Sequence, residues 1–340
     1  MNFTRERRVP LAVGAAVAAI LVSACSSSSS SSTSTPSSST PSTGASSSAS
    51  AGGGSAAGTN VVVGALPVLD TAGLQVALKE GYFKQAGLNV TVKTVTQSTA
   101  AIPDLLHGSI DVIGGGNYVS FLEAQANGTF PVQFLAPAVE CSPNSYGVAA
   151  MPSSGIKKAS DLVGKTIAVN LTQNIQTLTT DASLKGAGVT GAVKYVQLPF
   201  PDMVSALKAG RVNAISAVEP FLSAALAAGA KLVTSTCDGA TANFPMSGYI
   251  TTQTWVKANP TAAKAFQTAL EKGNAYANAN PTVTRGVIPS YTSLTAKAAA
   301  TVPLGTYPAT LTTASLQRIA TLMTGGGLKA PSDVSSLVLP

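Results

Sequence analysis

Hydrophobic positions between residues 59 and 255 follow an alternation of strand and helix patterns. Residues 59–66 form a β-branched run bounded by small residues, which predicts a buried strand, and Leu74 and Leu78 then share one face of a helix. The same succession starts again at residues 165–170. Strands that alternate with helices at this spacing predict an α/β fold built from βαβ units with a mostly parallel sheet.

One segment occurs twice, with its copies about 102 residues apart. Residues 106–117 (LHGSIDVIGGGN) and residues 208–219 (KAGRVNAISAVE) both predict the end of a helix, a glycine cap, a short buried strand and a turn into the next helix. In the first copy the strand is expected over residues 110–113, with the turn at the three glycines that follow. An internal repeat of this kind predicts two similar lobes, and two lobes predict a cleft between them.

Beyond Trp255 the pattern becomes helical. A long helix is expected to start at Pro260, and a further helix over residues 311–323 precedes a run of three glycines. Because this tail has no predicted strand of its own, we expect it to pack on the first lobe.

The first 58 residues have targeting features instead of a core pattern. A basic segment precedes an apolar stretch over residues 9–24, which is too short to span a bilayer comfortably, and small residues precede Cys25. This arrangement resembles a bacterial lipobox, so residues 1–24 are expected to be a lipoprotein signal peptide and Cys25 the lipid-modified N-terminus. Residues 25–58 are rich in Ser, Thr, Ala, Gly and Pro, cannot bury a core and are expected to form a disordered tether.

Charge and the scarcity of reactive side chains argue against several functions. The chain has 21 basic and 14 acidic residues, but its lysines are scattered, so the sequence does not indicate a nucleic-acid-binding stripe. Residues 164–166 look like the end of a phosphate-binding loop, yet Ala159 stands where that motif needs its first glycine. His107, the only histidine, precedes a glycine cap and is expected to be a solvated helix-end residue. We therefore predict no catalytic residue, no metal and no cofactor.

Several short motifs, in the same order over nearly all of residues 60–340, link this chain to a known family. They lie at residues 81–83, 87–90, 108–112, 156–157, 161–166, 206–214 and 219–220. In these motifs the chain resembles the substrate-binding proteins of ABC importers, in the group that includes aliphatic-sulfonate, taurine, nitrate and thiamine-pyrimidine-precursor binders. The resemblance implies a type II periplasmic-binding-protein fold, in which two βαβ lobes enclose a cleft and two crossing hinge segments join them.

That topology implies that residues 59–146 and 246–340 form lobe 1, which includes the C-terminal helices, and that residues 147–245 form an inserted lobe 2. Cys141 and Cys237 then lie just before the two crossings. In an oxidising exterior such a pair is expected to form a disulfide bond. The bond would close a loop of about 100 residues, which contributes roughly 4–5 kcal/mol in the chain-entropy model.

Ligands of open α/β sheets bind beyond the carboxyl ends of the strands, where helix N-termini also point. The repeat therefore predicts ligand-binding residues in pairs at the two edges of the cleft. The loops after the first strands contribute Leu66, Asp70 and Thr71 opposite Asn170, Thr172 and Asn174; the second loops contribute Gln97, Ser98 and Thr99 opposite Phe200 and Asp202; the repeated turns contribute Asn117 and Tyr118 opposite Glu219 and Pro220. For each residue alone, helix capping or packing is an equally good interpretation.

The predicted edges of the cleft contain carboxylates but no arginine. Arg211, Arg285 and Arg318, the arginines beyond the signal peptide, lie elsewhere in the sequence, whereas Asp70, Asp202 and Glu219 lie at the edges. This difference favours a neutral or amino-bearing ligand over a sulfonate or nitrate, although helix N-termini can hold an anion without arginine.

Together with the resemblance, these features predict a lipid-anchored, non-enzymatic solute receptor on the outer face of the cell membrane. It would capture a small molecule between its lobes and deliver it to an ABC permease and its ATPase. The receptor would act as a monomer that contacts the membrane through its lipid and does not bind nucleic acid. Two alternatives stay open on the same scaffold: an exported enzyme of the thiamine-pyrimidine-synthase-like group, and a ligand-sensing domain that reports to a partner.

Overall fold

The computed structural model describes residues 58–340. The predicted signal peptide over residues 1–24, the predicted lipid attachment at Cys25 and the predicted tether up to residue 57 lie outside this range, so these features stay predictions. Within residues 58–340, no helix is both long enough and apolar enough to cross a membrane.

The first sheet combines strands from distant parts of the chain. Its five strands lie in the order β2 (Leu88–Thr94), β1 (Thr59–Ala65), β3 (Val112–Asn117), β10 (Pro245–Thr252) and β4 (Val132–Glu140). β1 pairs parallel with β2 and β3, whereas β10 pairs antiparallel with β3 and β4. The valines Val61 and Val63 of β1 are completely buried, which explains why this strand is a β-branched run in the sequence.

The second sheet repeats this arrangement with strands from the middle of the chain. Its order is β7 (Lys194–Gln197), β6 (Thr166–Val169), β8 (Ala214–Val218), β5 (Tyr146–Ala150) and β9 (Lys231–Ser235). β6 pairs parallel with β7 and β8, and β5 pairs antiparallel with β8 and β9. The two sheets therefore share one strand order and one pattern of pairing, in agreement with the internal repeat.

The chain passes between the two sheets twice. β4 of the first sheet leads to β5 of the second, and β9 of the second sheet leads back to β10 of the first. A disulfide bond between Cys141 and Cys237, whose Cα atoms are 5.3 Å apart, joins the two crossing segments. The predicted α/β fold with two crossing segments and the predicted disulfide are therefore confirmed.

Helices surround the sheets and complete the core. In chain order they are α1 (Ala72–Lys79), α2 (Tyr82–Gln85), α3 (Ile102–Leu106), α4 (Tyr118–Ala126), α5 (Ile175–Gly186), α6 (Phe200–Lys208), α7 (Phe221–Ala227), α8 (Gln253–Ala258), α9 (Pro260–Ala279), α10 (Pro281–Val287), α11 (Ala296–Ala299) and α12 (Thr313–Gly325). The 20-residue helix α9 packs on α1 and on β4, so the C-terminal tail covers the first sheet as expected. The two helices approach closely because glycines meet there: a Cβ atom on Gly273 would lie 2.6 Å from the carbonyl oxygen of Gly73.

The third strand differs from its prediction. The strand expected over residues 110–113 lies at Val112–Asn117, so the three glycines that were expected in a turn belong to β3. Neighbouring side chains require glycine at this position, since a Cβ atom on Gly116 would lie 2.5 Å from Cδ1 of Ile250. The prediction of a turn was wrong because a glycine run indicates close packing inside a strand as well as a turn.

Candidate ligand-binding cleft

A cavity of about 30 Å³ lies where the two sheets face one another. Seven of the predicted ligand-binding residues line it: Leu66, Asp70, Ser98, Asn117, Asn170, Asn174 and Phe200. They come from both copies of the repeat and follow the carboxyl ends of parallel strands, which is where ligands bind in open α/β sheets. The volume has room for about two water molecules, so a solute can enter only after the two sheets move apart.

Asp70 is a buried lining residue of this cavity. Its carboxylate is 7% exposed; Oδ1 accepts a hydrogen bond from the Tyr146 hydroxyl at 2.7 Å, and Oδ2 accepts one from the Ser247 hydroxyl at 2.6 Å. Burial raises the pKa of Asp70, and these two hydrogen bonds partly oppose the rise. Tyr146 begins β5 and Ser247 lies near the start of β10, so Asp70 holds both strands that follow a crossing.

Two asparagines at the cavity cap the helices that begin there. Oδ1 of Asn117 accepts a hydrogen bond from the backbone N–H of Ser120 at 2.9 Å, in the first turn of α4. Oδ1 of Asn174 accepts hydrogen bonds from the backbone N–H groups of Gln176 and Thr177, at 3.0 and 3.2 Å, in the first turn of α5. The capping interpretation therefore holds for both residues, although each also lines the cavity.

The sheets are in direct contact across the cleft. Nε2 of Gln97 donates a hydrogen bond to the backbone carbonyl of Asn170 at 2.9 Å, and Nδ2 of Asn170 donates one to the carbonyl of Thr96 at 3.5 Å. The backbone N–H of Leu69 donates to the carbonyl of Glu219 at 3.1 Å. These contacts hold the two sheets together in a closed form of the cleft. Gln97 contributes a hydrogen bond between the sheets and does not line the cavity.

Six further predicted site residues lie outside the cavity lining, in a turn, in the core or at the surface. The hydroxyl of Thr71 donates to the carbonyl oxygens of Leu66 and Val68, at 3.2 and 3.0 Å, and Thr71 itself is fully buried. Tyr118 is fully buried in the core, where its ring packs edge-on against Phe134 at 5.2 Å. The other predicted residues away from the lining are Thr99, which lies in a 3₁₀ turn, Thr172 and Asp202, which are exposed, and Pro220, which is buried.

Glu219 also lies outside the lining of the cavity. It is 3% exposed, and its carboxylate accepts hydrogen bonds from the hydroxyl of Ser223 at 2.9 Å and from the Ser223 backbone N–H at 3.2 Å, in the first turn of α7. Burial raises the pKa of Glu219 to about 7, and the hydrogen bonds from Ser223 partly oppose this rise. Its carboxylate therefore stabilises the first turn of α7 and does not face the cavity.

Sequence reasoning missed the lining residues from the strands that follow the crossings. Tyr146, Met246 and Ser247 all line the cavity. The crossings themselves were predicted from the family resemblance, and in this topology they lie at the base of the cleft, which is the signal that could have identified these residues. Gln176, also missed, accepts a hydrogen bond from the Asn170 backbone N–H at 2.7 Å and so holds the loop after β6.

A larger groove, of about 1070 Å³, runs between α5, α12 and the segment before β10. Its lining includes Leu178 of α5, Leu322 of α12 and Phe244 of the segment before β10, and Thr172 is the predicted site residue found there. Arg318 at this groove donates to the carbonyl oxygens of Asn243, Ala240 and Ala242, at 2.8 to 3.0 Å. Because the smaller cavity is lined by residues at the strand ends of both sheets, we assign the candidate site to it.

The side chains present do not suggest a metal centre. Across residues 58–340, no three His, Cys, Asp or Glu side chains lie close enough together to hold a metal ion. His107 is exposed, at the end of α3. The cavity can therefore hold a solute through hydrogen bonds, one carboxylate and apolar walls, without metal ligands from this part of the chain.

The family model described as NMT1/THI5 like matches residues 69–284, more than half of the chain. The chain therefore belongs to the NMT1/THI5-like family, as the motifs indicated. No curated protein matches the sequence.

Solved structures share the fold. The ligand-binding component of an ABC-type import system from Staphylococcus aureus, with zinc bound, is 14% identical, with a TM-score of 0.72, and the match covers 83% of this chain and 97% of that chain. The alkanesulfonate-binding protein SsuA from Xanthomonas axonopodis pv. citri, bound to MOPS, is 17% identical, with a TM-score of 0.68 and 83% and 99% coverage. At these identities the likeness establishes the fold.

The same fold also occurs in an enzyme. The desulfurization enzyme DSZB is 17% identical, with a TM-score of 0.60, and the match covers 83% of this chain and 96% of that chain. Function must therefore be argued from the cavity and not from the fold alone.

Proposed function

We propose that this protein is an extracytoplasmic solute receptor that captures a small molecule between lobes over residues 59–146 plus 246–340 and 147–245, and delivers it to an ABC permease. The observation that supports this most strongly is the position of the cavity. It lies at the carboxyl ends of parallel strands from two similar sheets, and its lining includes residues from both strands that follow a crossing. Similar structures that are ligand-binding components of import systems add support.

The proposed motion is a hinge opening about the two crossing segments. The cross-cleft hydrogen bonds of Gln97 and Asn170 would break, while the Cys141–Cys237 bond would keep the crossing segments together. A solute that bridges the two sheets replaces the lost contacts and shifts the population back to the closed form.

The receptor is proposed to be anchored at the outer face of the membrane through a lipid on Cys25. In a bacterial host, the full chain should partition into the membrane fraction and incorporate labelled palmitate, whereas Cys25→Ala should do neither. Cys237→Ala is the matched control, because it removes a cysteine that is in the disulfide, and it should keep the label. Equal labelling of wild type and Cys25→Ala would contradict the anchor.

Solute capture can be tested with the full chain purified from detergent-solubilised membranes. We expect native mass spectrometry, after incubation with a small-molecule extract, to show a one-to-one complex whose solute is released chemically unchanged. The absence of any retained solute would contradict the receptor role. Release of an altered product that accumulates with time would contradict it as well and would favour an exported enzyme.

A further inference from the structure

The cavity has one carboxylate in its lining and no basic side chain. Asp70 supplies the carboxylate, and no lysine, arginine or histidine of the described chain lines the cavity. Tyr146, the other titratable lining residue, donates its hydroxyl proton to Asp70 and stays neutral. A bound anion would therefore face a carboxylate without a compensating cation.

Two helix N-termini at the cavity, those of α4 and α5, are already capped by side chains of the protein. Asn117 and Asn174 accept hydrogen bonds from the first turns of α4 and α5. The backbone N–H of Asn170 is bound by Gln176, and that of Leu69 by the Glu219 carbonyl. These particular N–H groups are therefore not free to hold an anion at the ends of the strands.

Arg318, a cation of the neighbouring groove, is held by other contacts. The Arg318 guanidinium donates to three backbone carbonyls before β10 and lies 5.0 Å from the ring centroid of Phe244. Those contacts hold it in the larger groove, so it does not supply the missing positive charge.

Asp70 can accept a further hydrogen bond from a solute. Each of its oxygens accepts one bond within the protein, and an ionised carboxylate offers about four lone-pair positions. Beside it, Phe200 forms an aromatic wall that is fixed by stacking on Phe221, with ring centroids 5.3 Å apart and planes 8° from parallel. Leu66, Val68 and Val218 complete an apolar lining around the carboxylate.

We infer that the cleft takes a small solute with an amine or amidine group, whose N–H donors bind the Asp70 carboxylate and whose apolar or planar part packs against Phe200. An anion such as a sulfonate without such a group is not the ligand. This inference rests on the proposed receptor function and specifies its solute class. It follows from the juxtaposition of one buried carboxylate, the capped N-termini of α4 and α5, and an aromatic wall.

Three probes of the same shape and different charge test the inference on the wild-type full chain. Benzamidine, benzamide and benzoate carry a positive, neutral and negative group on one ring. We expect benzamidine to raise the melting temperature and to bind at least tenfold more tightly than benzamide, and benzoate not to bind. Tighter binding of benzoate, or equal melting temperatures with all three probes, would overturn the inference.

Two carboxylate variants then locate the interaction. Asp70→Asn should weaken benzamidine binding at least tenfold. Asp181→Asn is the matched control, because Asp181 also accepts a hydrogen bond from a tyrosine, Tyr195, at 2.6 Å, but lies in the larger groove. It should leave the affinity within about twofold. Loss of binding in Asp181→Asn, or unchanged binding in Asp70→Asn, would overturn the assignment. The comparison of the three probes uses only the wild-type protein, so it tests the inference even if a variant does not fold.

The solute captured from the extract separates this inference from the receptor proposal. A captured compound with an amine or amidine group supports both. A captured sulfonate, carboxylate or nitrate without an N–H donor overturns the solute class and leaves the receptor role intact. An extract from which nothing is captured contradicts the receptor role, whatever the probes do.

Discussion

Asn117 and Glu219 occupy the same place in two similar parts of the molecule. Asn117 ends β3 and Glu219 directly follows β8, and each accepts a hydrogen bond from the first turn of the helix that comes next. Both residues cap the helix that follows. Helix capping alone is therefore enough to explain why the segment occurs twice, and ligand binding is not needed to explain it. Asn117 reaches the cavity and Glu219 does not.

The loops after the first strand of each sheet differ more. In the second sheet Asn174 caps α5, whereas in the first sheet Asp70 makes no capping bond and binds Tyr146 and Ser247. A carboxyl group thus lies opposite neutral amides across one small cavity. The two copies of the repeat therefore share the side chains that cap helices. The group that we expect to bind solute, the Asp70 carboxyl, lies at a position where the two copies differ.

The largest expected effect concerns the link that holds the two sheets together. Replacing both Cys141 and Cys237 by Ala should lower the free energy of unfolding by roughly 4 kcal/mol, because the open chain gains the entropy that a loop of about 100 residues had lost. Urea denaturation of the oxidised wild type and the double variant measures the difference. A reductant should change the wild type only, and a difference below about 1 kcal/mol would contradict the chain-entropy account.

The buried carboxylate of the second sheet should make stability depend on pH. The pKa of Glu219 rises from 4.5 to about 7 on folding, so between these values the folded protein binds a proton that the unfolded chain has released. The free energy of unfolding contributed by this group therefore falls as pH rises from about 4.5 to 7, by up to about 3 kcal/mol. Denaturation of wild type and Glu219→Gln across this range should show a larger decrease in the wild type than in the variant, which keeps the other buried carboxyls such as Asp70.

The same pH series checks the comparison between repeated positions. Asn117 has no titratable group, so Asn117→Asp should introduce a new pH dependence at the first sheet, whereas Glu219→Gln should remove one at the second. Identical pH profiles of wild type and Glu219→Gln would show that burial of Glu219 does not shift its pKa.

The smallest effects concern the two asparagine caps. Asn174 accepts two backbone N–H groups and Asn117 accepts one, so Asn174→Ala should cost about 2 kcal/mol of stability and Asn117→Ala about 1 kcal/mol. Thermal or urea unfolding can rank them, and the corresponding Ser variants should recover part of each loss. The reverse ranking would indicate that cavity contacts, and not capping, determine these costs.

The parallel strands could be predicted because their local patterns were clear. The β-branched Val61 and Val63 of β1 and Ile167 and Val169 of β6 are fully buried, and each run is bounded by small or polar residues. β4 was not predicted as a strand, because Pro137 interrupts it and because it pairs through irregular register with β10, which is distant in sequence. Such pairing depends on tertiary contacts that no local pattern shows.

The sequence predicted where the candidate site lies better than it predicted which side chains line it. The rule for strand ends found Asp70, Asn170 and Phe200, which line the cavity. It could not tell that Tyr118 turns into the core or that Glu219 turns to α7, because both outcomes depend on which neighbours are nearest in the fold. It also missed Ser247, which reaches Asp70 from 177 positions along the chain.

One measurement tests most directly whether solute binds between the two sheets. Hydrogen–deuterium exchange of the full chain, with and without the captured solute, should show added protection over residues 66–70 and residues 170–176 together, with little change over α12 (Thr313–Gly325). This result is predicted because the cavity is lined from both sheets and α12 borders only the larger groove. Protection confined to one sheet, or centred on α12, would contradict the account.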